Sequence, residues 1–293
     1  MGLFHCPLGA PYYDDDACID CGLCYAKTHE EKVAASGKIR EYMKAHAPRT
    51  STVSKVAVCG KGGSGKTTAV ALLTLAFKEA GLRVIVIDAD ESNPGLGRML
   101  GITGETQPLS DLFGEDGLFT ERERFSVDEI PPGFVSAVDG ILFLVVGKIL
   151  DPFQGCACSM AESARQVVEK LDLKEGEMLI LDMEAGVESF GRGVERHADT
   201  ILIVVEPSFE SIVVAGRIAQ MAQGMGIGRV GAVLNKMHSS AMSSRTAQEL
   251  EKQGVRVLGA LNYSAELAEA AFEGKPVING VAVNEAGAIV AAL

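Results

Sequence analysis

Residues Gly60-Lys61-Gly62-Gly63-Ser64-Gly65-Lys66-Thr67-Thr68 match the pattern G-x-x-x-x-G-K-[ST]. The apolar run KVAVCG (55–60) precedes them, and a helix-like run to about Ala80 follows. Strand, glycine loop and helix in that order make a phosphate site. Glycines let backbone N–H groups converge on phosphate oxygens, and the helix N-terminus adds partial positive charge. Lys66 is placed to reach the β- and γ-phosphates of a nucleotide, and the Thr67 hydroxyl to ligate Mg²⁺.

A phosphate loop needs carboxylates at neighbouring strand ends. Asp88 and Asp90, in IDADESN, follow a second apolar run, and Asp182 ends the run LILD. Aspartate is also common in strand-end turns. Asp182 resembles the magnesium-associated carboxylate of such sites, with the following EAG placed to sense the γ-phosphate. Asn235, in RVGAVLNK, is either a helix cap or a contact to the nucleotide base.

The seven cysteines fall into three groups. Cys18, Cys21 and Cys24 form C-x-x-C-x-x-C, the spacing with which thiolates wrap three corners of a [4Fe–4S] cluster. No Cys-Pro follows them. Cys6, in the upstream Cys6-Pro7, is the candidate fourth ligand, with His29 as an alternative. A zinc site or unligated thiols would also fit this spacing. Cys156 and Cys158, in GCACS, are too close for an unstrained mutual disulfide. They can face one metal but cannot complete a tetrahedral site alone. Two copies on a two-fold axis would supply four thiolates, and a helix N-terminus from Ser159 onward would favour the thiolate form. The plain alternative is two small buried thiols in a loop. Cys59 lies inside the first apolar run and reads as core.

The elements that must position these groups are legible. Further apolar strands are RVIVIDAD, GILFLVVG, EMLILDME, TILIVVEP, RVGAVLNK and the shorter RVLGAL, with helical stretches predicted at 160–171, 208–224, 242–253 and 264–272. Strands apolar on both faces, alternating with helices, predict an α/β fold: a doubly wound, mostly parallel sheet of seven or eight strands. Nucleotide would sit at the strands' carboxyl ends. Residues 104–140, rich in Gly, Pro and charge, read as an insertion. Residues 1–50 read as a separate cysteine segment with a helix over 29–46, joined by the linker APRTSTVS to a nucleotide-binding domain at 55–293.

Composition narrows the function. A net charge of −12 disfavours nonspecific binding to nucleic acid or anionic membrane. No apolar run reaches the roughly 18 residues of a membrane span, and the N-terminal residues lack the pattern of a secretory signal. The expectation is a cytoplasmic protein, where clustered cysteines serve metal or redox chemistry rather than disulfides.

Lys61, at the start of GKGGSGKTT, marks a resemblance to the deviant Walker A class that includes MinD, ParA and the nitrogenase iron protein. The resemblance implies a homodimer closed by ATP, with Lys61 reaching the partner's nucleotide. It implies Asp88 near Mg²⁺ through water, Asp90 orienting the attacking water, and Asn235 on the purine. ATP rather than GTP also follows from the resemblance, since NKM lacks the aspartate that reads guanine. Within that class, GCACSMAESARQVVEKL, VDEIPPGF and LDMEAGVESFGRG resemble the CooC-type ATPases over roughly residues 55–293. Those proteins serve nickel insertion into carbon monoxide dehydrogenase, and their C-x-C binds metal between two subunits. The resemblance implies a dimerising, ATP-hydrolysing metallochaperone with ATP/ADP, Mg²⁺, and Ni²⁺ or Zn²⁺ at Cys156 and Cys158; the N-terminal segment, whose cysteine spacing points to a [4Fe–4S] cluster, departs from simpler members of the family. Its client would be a carbon monoxide dehydrogenase-like enzyme. The alternative is an ATP-driven iron–sulfur electron donor resembling the nitrogenase iron protein. A positioning switch of the MinD or ParA kind ranks last, because the tail VNEAGAIVAAL offers no amphipathic basic helix.

Overall fold

The computed structural model describes residues 27–28, 30–31, 34–35, 38, 53–90, 95–113, 118–119, 121–147, 157–187, 193–277 and 280–293. Its frame is an eight-stranded sheet in the order β10-β9-β8-β1-β7-β2-β5-β4. The central strands are β1 (Lys55–Gly60), β2 (Arg83–Asp88), β7 (Glu177–Asp182) and β8 (Thr200–Val205). They are flanked by β5 (Ile141–Val145), β9 (Arg229–Met237) and β10 (Arg256–Asn262). These pair in parallel, while β4 (Ser136–Val138) closes one edge antiparallel to β5.

The apolar runs are apolar on both faces because both faces are covered. Val56 and Val58 join one core, with Val84, Val86, Leu202 and Val204. Ala57 and Cys59 join the other, with Ile85, Ile87, Ile201 and Ile203. The first core is roofed by α1 (Lys66–Glu79) and α7 (Gly280–Ala291). The second is roofed by α3 (Ala157–Lys170), α4 (Phe209–Gly224) and α5 (Ser240–Lys252). Short α2 (Leu96–Met99) and α6 (Ala265–Glu273) are further helices among the described residues.

Three features differ from the sequence reading. Helix α3 begins at Ala157, so Cys158 lies in its first turn rather than before it. Helix α7 was not foreseen. Its run GVAVNEAGAIVA carries little polar contrast, and all but its ends are buried against α1 and β10. Glu285 fits there because its carboxylate accepts from the Asn262 N–H (2.9 Å) and the Asn262 side-chain amide (2.5 Å). The described part of 104–140, read as an insertion, holds two short strands that the sequence did not show. Phe113, Phe119 and Phe125 pack in tilted and edge-to-face pairs with centroids 4.8–5.9 Å apart and merge with the second core. Strand β3 (Phe125–Ser126) pairs with β6 (Leu171–Asp172) in a separate two-stranded sheet. Arg83 bridges Asp128 (2.6 Å) and Glu177 (2.7 Å), tying this segment to the start of β2 and β7. Asp128 is held well below the usual carboxylate range by Arg83 first and Lys174 second.

The predicted helix over 29–46 falls mostly outside the described residues. Its start is visible: the Thr28 hydroxyl accepts from the Glu31 N–H (3.2 Å), and the Glu31 carboxylate accepts from the Thr28 N–H (3.0 Å). That reciprocal pair is a capping box.

Candidate functional site at the carboxyl ends of the central strands

β1 sits between β8 and β7, so the loop after it is flanked by the ends of both. Gly60 has φ +148, and a Cβ there would lie 2.5 Å from the Val204 carbonyl oxygen. Gly65 caps α1 in the left-handed region at φ +90, where a Cβ would lie 2.2 Å from Asn235 Nδ2. Both positions therefore admit only glycine. Gly60→Ala is expected to destabilise the fold by roughly 2 kcal/mol or more, because strand backbone cannot move aside; thermal melting checks it.

The first N–H groups of α1 have no intrahelical partner, and the glycine loop leads directly into them through Gly65. Thr67 and Lys66 follow at once, each more than nine-tenths buried. The Ser64 hydroxyl is fully buried with no hydrogen-bond partner. Such a cradle of backbone donors, with an unpartnered hydroxyl, fits a phosphate chain. Gly186, in the EAG segment after β7, donates its N–H to the Gly60 carbonyl (3.0 Å), so that segment lies against the loop.

The carboxylates converge. Asp88 and Asp182 are register partners at the ends of neighbouring β2 and β7. Both are almost fully buried. The Asp90 N–H donates to Asp88 Oδ1 (3.2 Å), which turns the chain back over the strand end. Burial, then the Asp88 charge, pushes the Asp182 carboxyl up to about 7, against a hydrogen bond from Thr67 and the charge of Lys66. Asp182 Oδ1 has no hydrogen-bond partner. A buried carboxylate that binds a threonine hydroxyl and leaves one oxygen open is a donor set suited to Mg²⁺, which keeps most of its water. Thr67 would ligate it, with Asp182 and Asp88 holding its waters. The ion would supply charge neutralisation at the transferring phosphoryl group.

Asn235 is not a helix cap: the cap of α5 is Ser239, whose side chain accepts from the Met242 N–H. Asn235 is buried, and its amide donates to the Ser64 carbonyl (2.8 Å). It braces the phosphate loop. Lys61 lies on the same side, its ammonium 2.9 Å from Glu206 Oε1. Lys236 reaches the other oxygen of that carboxylate (3.2 Å) and also donates to the Gly63 carbonyl. Partial burial would raise the Glu206 carboxyl, but the two lysines outweigh it and hold it low. Neither Glu206 nor Lys236 was singled out from the sequence. The available signal was position: both sit at carboxyl ends of parallel strands on one side of β1, Glu206 after the adjacent β8 and Lys236 on β9 beyond it, where ligands bind.

Cys6, Cys18, Cys21, Cys24, His29 and Cys156 lie outside the described residues. Among the described residues, no group of three or more His, Cys, Asp or Glu could hold a metal ion, and no helix is long and apolar enough to cross a membrane. Cys59 is fully buried in the core, as expected, and burial pushes its thiol well up.

Known proteins share this arrangement. Residues 55–277 match the CobQ/CobB/MinD/ParA nucleotide binding domain. An uncharacterized ATP-binding protein of Methanocaldococcus jannaschii is 34% identical over 233 residues, 76% of this chain and 90% of that protein. The carbon monoxide dehydrogenase accessory protein CooC of Rhodospirillum rubrum is 34% identical over 198 residues, 63% of this chain and 75% of that protein. In fold, the septum site-determining protein MinD of Pyrococcus horikoshii, solved with Mg-ADP, aligns with a TM-score of 0.61 at 18% identity, covering 81% of this chain and 93% of that one. The chain belongs to the CobQ/CobB/MinD/ParA nucleotide-binding family and is a P-loop ATPase.

Proposed function

We propose that this ATPase is a dimerising metallochaperone that assists insertion of nickel, or of a metal cluster, into a carbon monoxide dehydrogenase-like enzyme. The observation that carries the reading is a phosphate-loop site in a chain that also carries the sequence pair Cys156-x-Cys158, with Cys158 in the first turn of α3, and that is similar to a carbon monoxide dehydrogenase accessory protein. Lys66 and the loop from Gly60 to Thr68 bind the phosphates, and Thr67, with Asp182 and Asp88, accommodates Mg²⁺. Asp90 orients the attacking water. Lys61 serves the nucleotide of the partner subunit, so ATP favours the closed dimer and hydrolysis releases it. Closing the dimer brings two copies of Cys156 and Cys158 to one axis, and four thiolates there suit Ni²⁺ or Zn²⁺. The N-terminal Cys6, Cys18, Cys21 and Cys24 bind a [4Fe–4S] cluster that serves a redox partner or reports redox state.

The test is anaerobic purification with metal analysis, with and without ATP. Wild type is expected to bind nickel or zinc at about one ion per dimer, and a Cys156/Cys158 double variant to lose it. Equal binding by that variant would end the metal role. The C-x-x-C-x-x-C spacing favours a second reading, an ATP-driven electron donor. Iron separates the two: one cluster per protomer fits a metallochaperone, while a further cluster per dimer, lost in the double variant, fits an electron donor.

A further inference from the structure

Lys61, Glu206 and Lys236 form a charge cluster beside the phosphate loop. Glu206 follows β8 directly, at the end of the strand beside β1. It gives one carboxylate oxygen to each lysine: Oε1 to Lys61 at 2.9 Å and Oε2 to Lys236 at 3.2 Å. Glu206 is the most buried of the three, its side chain 18% exposed against 33% for Lys61 and 44% for Lys236.

The backbone shows how Lys236 comes to be there. Neighbouring residues on a strand point to opposite faces. Lys236 has φ +58, in the left-handed region, one of two non-glycine residues so placed among the described residues. That breaks the alternation at the end of β9. Asn235 and Lys236 then both reach the phosphate loop, on the consecutive carbonyls of Ser64 and Gly63. They form a clamp, and Glu206 joins the clamp to Lys61.

We propose that Glu206 is a positioning residue that holds Lys61 within its own subunit until ATP draws it away. Two features make such a latch reversible. A triphosphate is a stronger acceptor for an ammonium than one carboxylate already shared with a second lysine. When Lys61 leaves, Glu206 keeps Lys236, so no half-buried charge is stranded. Release therefore costs one partly exposed ion pair, a modest threshold set against binding of the correct nucleotide. The proposal rests on the reading that Lys61 acts on nucleotide across a dimer.

The experiment is a cycle of Glu206→Gln and Lys61→Ala, titrated with a fluorescent ATP analogue in the full chain with Mg²⁺. Glu206→Gln is expected to bind roughly fivefold more tightly than wild type, the scale of one partly exposed ion pair. In the Lys61→Ala background the same change should have no effect. Glu206→Asp, which keeps the charge, should return affinity to the wild-type value, and sedimentation should show Glu206→Gln dimerising at lower ATP concentration. Unchanged or weaker binding by Glu206→Gln would overturn the proposal, as would a gain that persists without Lys61, since that reports a general charge effect. Circular dichroism melts follow each variant, and Glu206→Ala repeats the cycle should Glu206→Gln melt early. Wild type that binds ATP yet stays monomeric at saturation would remove the cross-subunit reading, while the affinity cycle still judges the latch.

Discussion

Lys66→Ala is expected to lower the ATPase rate by roughly 100-fold or more, the scale of losing one preorganised charge at the transferring group. Lys66 is 6% exposed, in the first turn of α1, between the phosphate loop and Asp182. The defect should persist at every protein concentration, and ATP affinity should fall with it. Lys61→Ala should differ in kind. On the cross-subunit reading, wild-type rate per protomer rises with protein concentration, and this variant should lose that rise while still binding ATP. Steady-state hydrolysis across a range of protein concentrations, with equilibrium nucleotide binding, separates the two lysines. A Lys66→Ala chain with near wild-type turnover would mean that the loop is not the phosphate site.

Asp182→Asn is expected to make the nucleotide-free protein more stable and the enzyme far less active. Burial and the Asp88 charge raise the Asp182 carboxyl to about 7 from an ordinary value of 3.8. Between those values the folded chain keeps a proton that the unfolded chain has released. That contribution to stability is complete below pH 3.8 and is lost as pH rises through 7, on the order of 4 kcal/mol in all. Asparagine stays neutral throughout. The variant and wild type should therefore melt alike near pH 4, diverge as pH rises toward 7, and stay apart above it, with the variant higher. Mg²⁺ with nucleotide should narrow the gap by favouring the charged carboxylate of the wild type alone. Melting curves of the two proteins at a series of pH values check this, beside their ATPase rates. A wild type that matches the variant at pH 8 without nucleotide would show that the carboxylate is already neutralised by another partner. An instability that activity requires is the expected pattern at a functional site.

The legible part of this protein was the part built from short, local rules. KVAVCG followed by GKGGSGKTT must be strand, loop and helix start, because glycines at 60 and 65 permit the backbone turns that other residues resist. The apolar strands read correctly because their residues are buried on both faces. The edge strand β4 and the pairing of β3 with β6 were invisible, being two or three residues long with no periodicity. Helix α7 was missed for a related reason: a helix buried on nearly every side shows no amphipathic contrast. Composition did not show that three phenylalanines of the 104–140 segment join the core, because Phe113, Phe119 and Phe125 meet one another only in the folded chain.

The sequence by itself determined the phosphate loop, the strand-end aspartates and the alternation of strand and helix. Each of these is a local pattern whose physics is complete within about ten residues. Only the tertiary structure decided which strand ends lie side by side. The order β8-β1-β7-β2 puts Asp182 and Asp88 beside the loop on one flank and Glu206 beside Lys61 on the other. It also turned Asn235 from a possible helix cap into a brace on Ser64, and gave Lys236 a place at the site through one left-handed residue. Those contacts join residues up to 173 positions apart. Strand order fixes them, and strand order is set by how the buried faces pack rather than by any local run of residues.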